Sequence, residues 1–147
     1  MVRMKMELIH ARPPMYDEIA DAFDVRGKPI LFAWGQIIYA PQTSDISVPL
    51  LRHEEAHGKR QLQFEKISGW WTRYINDPDF RLEEEKIGHI AEYCALLRTY
   101  SARNDRRRVL SFVAGKLASN LYRYSITKDE ARRVLEDGYS RIEAGLR

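Results

Sequence analysis

The sequence predicts a mainly helical single domain spanning residues 1–147, with one small β element: an α+β protein in which α dominates. Apolar residues recur at three- and four-residue spacing through most of the chain beyond Val48, whereas β-branched and aromatic residues crowd into one stretch, Ile30 to Ala40. Composition agrees. At 147 residues, with 44% hydrophobic and 31% charged, the chain can bury one core and is not a disordered polymer. No apolar run reaches the length of a bilayer span.

Residues 1–15 are polar and end in Arg12-Pro13-Pro14, so they read as an extended N-terminal segment. Tyr16 to Phe23 follows as a short amphipathic helix with Tyr16, Ile19, Ala20 and Phe23 on one side. Ile30 to Trp34 and Gln36 to Ala40, joined around Gly35, form a hairpin or bent strand pair. An exposed edge of that pair could hold an extended peptide.

The next stretch carries the chemistry. His53-Glu54-Glu55-Ala56-His57 is an H-E-x-x-H pattern, and residues four apart share a helix face, so both imidazoles can reach one metal ion. Glu54 flanks that ion, where its carboxylate can take a proton from water that the metal has made acidic. The pattern fixes only three residues, so its context has to support it. Ser47 can cap a helix, Pro49 is tolerated in its first turn, and Leu50, His53, His57, Gln61 and Phe64 fall on one stripe. Two of the four histidines lie in this pentapeptide. Glu55 reads as a solvated helix residue.

Trp70, Trp71 and Tyr74 read as wedges between helices. Asp77-Pro78 then opens a helix running to about Tyr100, Asp as cap and Pro as first helical residue. Its stripes are Leu82, Glu85, His89, Tyr93, Leu96 and Tyr100, and then Ile87, Ile90, Cys94 and Leu97. A third metal ligand, if the site has one, would come from this helix. Glu84 lies off both stripes and reads as solvated, which leaves Glu85 and Glu83. Glu85 is preferred because His89, one turn on, gives it a polar neighbour.

Further on, Val109, Val113, Leu117, Leu121 and Tyr122 make one stripe, and Thr127 with Glu130 is a capping box opening a last helix. Cys94, the only cysteine, excludes an internal disulfide and a cysteine-rich zinc site, and reads as a small buried hydrophobe. Net charge is only +3. The cluster Arg106-Arg107-Arg108 has no aromatic platform beside it, so it reads as a solvated helix junction rather than a nucleic-acid patch. Met1 to Leu8 lacks the apolar core of a signal peptide, which places the chain in the cytosol of the cell that makes it.

Several of these features, in order, resemble a family of small predicted metallopeptidases of bacteriophages and prophages. The residues are Gly35 to Pro41, His53 to His57 with Gln61, Trp70-Trp71 to Tyr74, Asp77-Pro78, Phe80-Arg81, Glu84-Glu85 to His89 and Tyr93, and Leu121-Tyr122 with Ser125-Ile126-Thr127 and Glu130-Ala131. The likeness covers roughly residues 30 to 135. It implies a minimal zincin-like domain, its motif helix preceded by the strand pair and followed by three helices. His53, His57 and Glu85 would hold zinc, Glu54 would be the general base, and the substrate would be a peptide or protein in the host cytosol or a virion. The metzincin extension is absent, because Arg60 and Gln63 stand where it needs Gly and His. His89, Tyr74 and Arg81 are candidates to support the ligands or the transition state. Two other classes remain: a phage structural or host-interaction protein whose metal site His89 closes as a fourth ligand, and a nucleic-acid-associated protein using Arg106 to Arg108.

Overall fold

In the computed structural model, which describes residues 3–43 and 45–145, the elements run β1 (Glu7–Ile9), α1 (Tyr16–Ala22), β2 (Phe32–Trp34), β3 (Ile37–Tyr39), α2 (Val48–Gln61), α3 (Ile67–Asn76), α4 (Pro78–Thr99), α5 (Arg103–Leu117) and α6 (Lys128–Glu143). The protein is mainly α with a small sheet, the class its sequence predicts. No helix among the described residues is long and apolar enough to cross a membrane.

β2 and β3 form the expected antiparallel hairpin, Trp34 opposite Ile37. Its two-residue turn starts with Gly35 at φ 62°, while Gln36 has no positive φ, the pattern of a type II′ turn. The segment before residue 15 is not merely extended. β1 pairs in parallel with β3, Glu7 opposite Ile37, giving the strand order β1-β3-β2. Three residues are too few to show alternation, so only the tertiary pairing makes them a strand. Met1 and Val2 lie outside the described residues.

Four helices follow α2, not three. The tryptophan-rich stretch forms α3, which ends at Asp77, and Asp77 caps α4 by accepting from Asp79 N and Phe80 N, both at 3.1 Å. Ser47 caps α2 and the Thr127–Glu130 box caps α6, as their sequences predict. α5 stops at Leu117, so Leu121 and Tyr122 belong to the following loop rather than to its stripe. Ser119 competes with the helical bonds there, its Oγ accepting from Leu121 N at 3.2 Å. Arg106 to Arg108 lie in the first turns of α5, where Arg106 stacks on Tyr139 and Arg108 pairs with Asp105.

Two apolar clusters result. One is aromatic and joins α1, β2, α3 and the start of α4 through Phe23, Phe32, Trp70, Trp71, Tyr74 and Phe80. The other is largely aliphatic and joins α4, α5 and α6 through Leu97, Val113, Leu117, Ala131 and Leu135. α2 and α4 share the most extensive contact in the molecule, and their facing surfaces are polar.

Two close approaches set α2 in place. A Cβ at Gly58 would lie 2.1 Å from Gly35 O, so only glycine lets α2 rest on the hairpin turn. Buried Gln61 completes the joint, accepting from Gly35 N at 2.7 Å and donating to Ala33 O at 3.0 Å. Glu55 is buried too, contrary to its solvated reading. It accepts from Met4 N at 2.7 Å and from Arg3 and Arg52, because the segment before β1 folds over this face of α2.

Candidate metal centre

His53 and His57, one turn apart on α2, point Nε2 toward Nε2 at 3.0 Å. Glu85 on α4 closes the triangle, with Oε2 3.0 Å from His57 Nε2 and Oε1 3.5 Å from His53 Nε2. Four-coordinate zinc with N and O ligands at 2.0–2.1 Å sets neighbouring donors about 3.3 Å apart, a value these three distances bracket. The residues present therefore fit the ion. Glu54 Oε2 stands just outside the triangle, 3.8 Å from His53 Nε2. All four side chains are buried, and no lysine or arginine forms an ion pair with Glu54 or Glu85 among the described residues.

α4 can come this near because residue 88 is glycine. A Cβ there would sit 2.9 Å from His53 Nε2 and 3.0 Å from His57 Nε2. The same approach decides between the two glutamates left open by periodicity. Glu83 is exposed and pairs with Lys86, whereas Glu85 is 3% exposed and faces both histidines. Glu84 is not solvated either. Arg60 grips it through Nε and Nη2, and Trp70 Nε1 donates to it at 2.8 Å, so it ties α2, α3 and α4 together.

The three supporting candidates separate. Tyr74 donates its hydroxyl to Glu85 Oε2 at 2.8 Å, which orients that carboxylate and leaves the phenol no second proton to give. Burial, then the Glu85 charge, hold its pKa well above the usual phenol value. His89 donates Nδ1–H to Glu85 O at 2.8 Å, and its ring stands edge-on to His53 at 4.5 Å between centroids. Burial, then the nearby His53, lower its pKa to about 4, so at neutral pH the ring is uncharged and its Nε2 is an acceptor. Arg81 is not at the site. Its guanidinium binds the carbonyls of Tyr122, Tyr74, Ile75 and Arg123, clamping the end of α3 to the loop after α5. Four backbone acceptors from two distant segments use up a side chain whose role sequence spacing could not resolve.

Two functional residues escape a pattern-based reading. Glu92, buried at 2% exposure, accepts from His53 Nδ1 at 3.1 Å and is paired with Lys116 of α5. His53, Glu54 and His57 form one set whose donors lie within 4.8 Å of one another, and His53, His89 and Glu92 form a second. Glu92 reaches His53 on Nδ1, the ring edge away from His57 and Glu85. Its spacing from Glu85 and His89 places all three on one face of α4, a signal present in the sequence. Lys116 has no such signal.

The electrostatics follow from burial without solvent. Burial opposes charge on His53, yet its bonds to Glu85 and Glu92 prevail and raise its pKa to about 10. Burial raises the Glu54 carboxyl, only partly offset by the two histidines. Glu85 goes the other way: His57 and His53 outweigh burial and hold it well below the usual carboxylate range. Glu92 likewise falls to about 2 against burial, through His53 and then Lys116.

These groups line a cleft of about 340 Å³ whose other walls include residues 29–33, Trp71, Leu121 and Tyr122. β2 is an outer strand, but its edge is not open along its whole length. Ala33 O accepts from both Gln61 Nε2 and Trp71 Nε1 at 3.0 Å, so only the backbone before it remains for an extended peptide. No protein-family model matches this chain, and neither a curated protein nor a solved structure does.

Proposed function

We propose that this protein is a zinc-dependent peptidase, of the kind its motifs resemble in phage and prophage metallopeptidases. The observation that carries the reading is the buried triangle of His53, His57 and Glu85 donors, with Glu54 beside it, at one cleft. Zinc, when bound, polarises a carbonyl and lowers the pKa of water to roughly 7. His53, His57 and Glu85 would hold it, and Tyr74 would fix the angle of Glu85.

The rest of the chemistry belongs to the chain. Glu54 is the general base: it takes a proton from the attacking water and returns it to the leaving amine as the peptide bond breaks. The cleft wall formed by residues 29–33 and the apolar side at Leu121 and Tyr122 would position a peptide across the donors.

A purely structural metal has one observation in its favour, the second set of donors formed by His53, His89 and Glu92. The experiment that separates the readings begins with metal content by elemental analysis of wild type, His53→Ala and Glu85→Ala. About one zinc per chain, lost in both variants, is expected. Hydrolysis of a quenched peptide library is then compared in wild type and Glu54→Gln, whose rate should fall by about 10²–10⁴ with zinc retained. Full zinc with equal rates in the two proteins would leave the structural metal standing.

A further inference from the structure

We propose that Glu92, backed by Lys116, holds the proton of His53 on Nδ1 when a metal takes Nε2, and so sets how tightly that ring binds a metal. The inference rests on the metal-site reading above but concerns residues that reading does not use.

An imidazole that ligates through Nε2 must carry its proton on Nδ1, because a protonated nitrogen has no lone pair to give. His53 Nε2 faces His57 and Glu85, and its Nδ1 faces Glu92 Oε1 at 3.1 Å. Everything then depends on Glu92 being an acceptor at that position. An ionised carboxylate can only accept, and Lys116 fixes which of its oxygens faces the ring. An ammonium has three donors and no acceptor, so it claims Glu92 Oε2 and leaves Oε1 for the proton of Nδ1. The chain of contacts is Lys116 on α5, Glu92 on α4 and His53 on α2, three elements meeting at one ring. Both Glu92 and His53 are buried, so no solvent substitutes for either partner.

The substitution Glu92→Gln would reverse the order. With Lys116 present, the oxygen of the new amide must turn to the ammonium, which directs the amide NH₂ at His53 Nδ1. That nitrogen then has to be the acceptor, the proton moves to Nε2, and a metal has to displace it from there. Removing the ammonium as well frees the amide to turn its oxygen back to Nδ1–H. Lys116 and Glu92 are positioning residues, and their signature is a second substitution that repairs the first.

The test measures zinc dissociation constants, by competition with a chromophoric chelator, for wild type, Glu92→Gln, Lys116→Met and the double variant. Glu92→Gln should bind zinc about 100-fold more weakly, and Lys116→Met a few-fold more weakly, within the range of outer-shell effects on metal affinity. The double variant should recover on the order of 10-fold relative to Glu92→Gln, a coupling that a merely structural pair does not produce. Lys116→Arg should match wild type, and circular dichroism of the metal-free proteins controls for folding. Glu92→Gln binding zinc as wild type does, or a double variant no tighter than Glu92→Gln, would overturn the inference and leave the peptidase reading untouched. Wild type that takes up no zinc, or uptake that survives His53→Ala, would overturn both.

Discussion

The two apolar clusters of this protein bury comparable sets of side chains but relate differently to the polar seam between α2 and α4. The aromatic cluster sends hydrogen-bond donors into the seam, Trp70 Nε1 to Glu84 and Tyr74 OH to Glu85, while Trp71 Nε1 goes to Ala33 O of β2. The cluster of α4, α5 and α6 buries Tyr93 and Tyr124, but among the described residues neither hydroxyl bonds a side chain of the seam. Its other members include Leu97, Val113, Leu117, Ala131 and Leu135, and α5 reaches the seam through Lys116. The difference follows from side-chain chemistry. Trp and Tyr bury a large apolar body while keeping a polar end that must find a partner, so an aromatic core can hold a buried carboxylate in place as it packs. The leucines, valines and alanines of the second cluster can only press elements together. One cluster is thus part of the site's scaffold, and the other is stability for its own sake.

The largest expected effect breaks the pair apart from the aliphatic side. Leu135 is fully buried, so Leu135→Ala should cost about 2–5 kcal/mol in urea unfolding. Zinc affinity should stay as in wild type while the protein is folded, and a matching loss of affinity would show that the two regions are not separable.

Gly88→Ala strikes the seam itself. The new methyl would press on both imidazoles, which Glu85 and Glu92 of the same helix hold close against it through His57 and His53. A cost of about 1–3 kcal/mol is expected, despite alanine's better helix propensity. Zinc uptake by elemental analysis should fall disproportionately, and normal uptake would mean that α4 can shift away from α2.

Tyr74→Phe is the finest probe, because it keeps the ring stacked on Trp70 at 4.9 Å and removes only the hydroxyl on Glu85. Metal-free stability should change by about 1 kcal/mol. Zinc should bind roughly 10-fold more weakly as Glu85 loses its orientation. Equal affinity in the two proteins would reduce the aromatic cluster to packing alone, and the contrast between the clusters would vanish.

Much of the plan is local and therefore legible in the residues. The caps at Ser47, Asp77 and Thr127 act within four residues of themselves, and the hairpin turn at Gly35 depends on one backbone angle. The helical face shared by His53 and His57 follows from spacing alone. The fold class and the position of the motif helix are of the same kind.

What lay beyond the sequence involves groups whose partner is far along the chain. α4 is the clearest case: apolar stripes are a guide only where burial and hydrophobicity coincide, and this helix buries Arg81, Glu84, Glu85, His89 and Glu92. Each is tolerated because another element supplies its counterpart, carbonyls for Arg81, Arg60 and Trp70 for Glu84, Lys116 for Glu92. By itself the sequence determined that two histidines and a glutamate would share one helix. Which carboxylate would join them, and which side chains would orient them, was decided by the packing of α3, α4 and α5 around α2, since a buried charge is stable only where its partners converge.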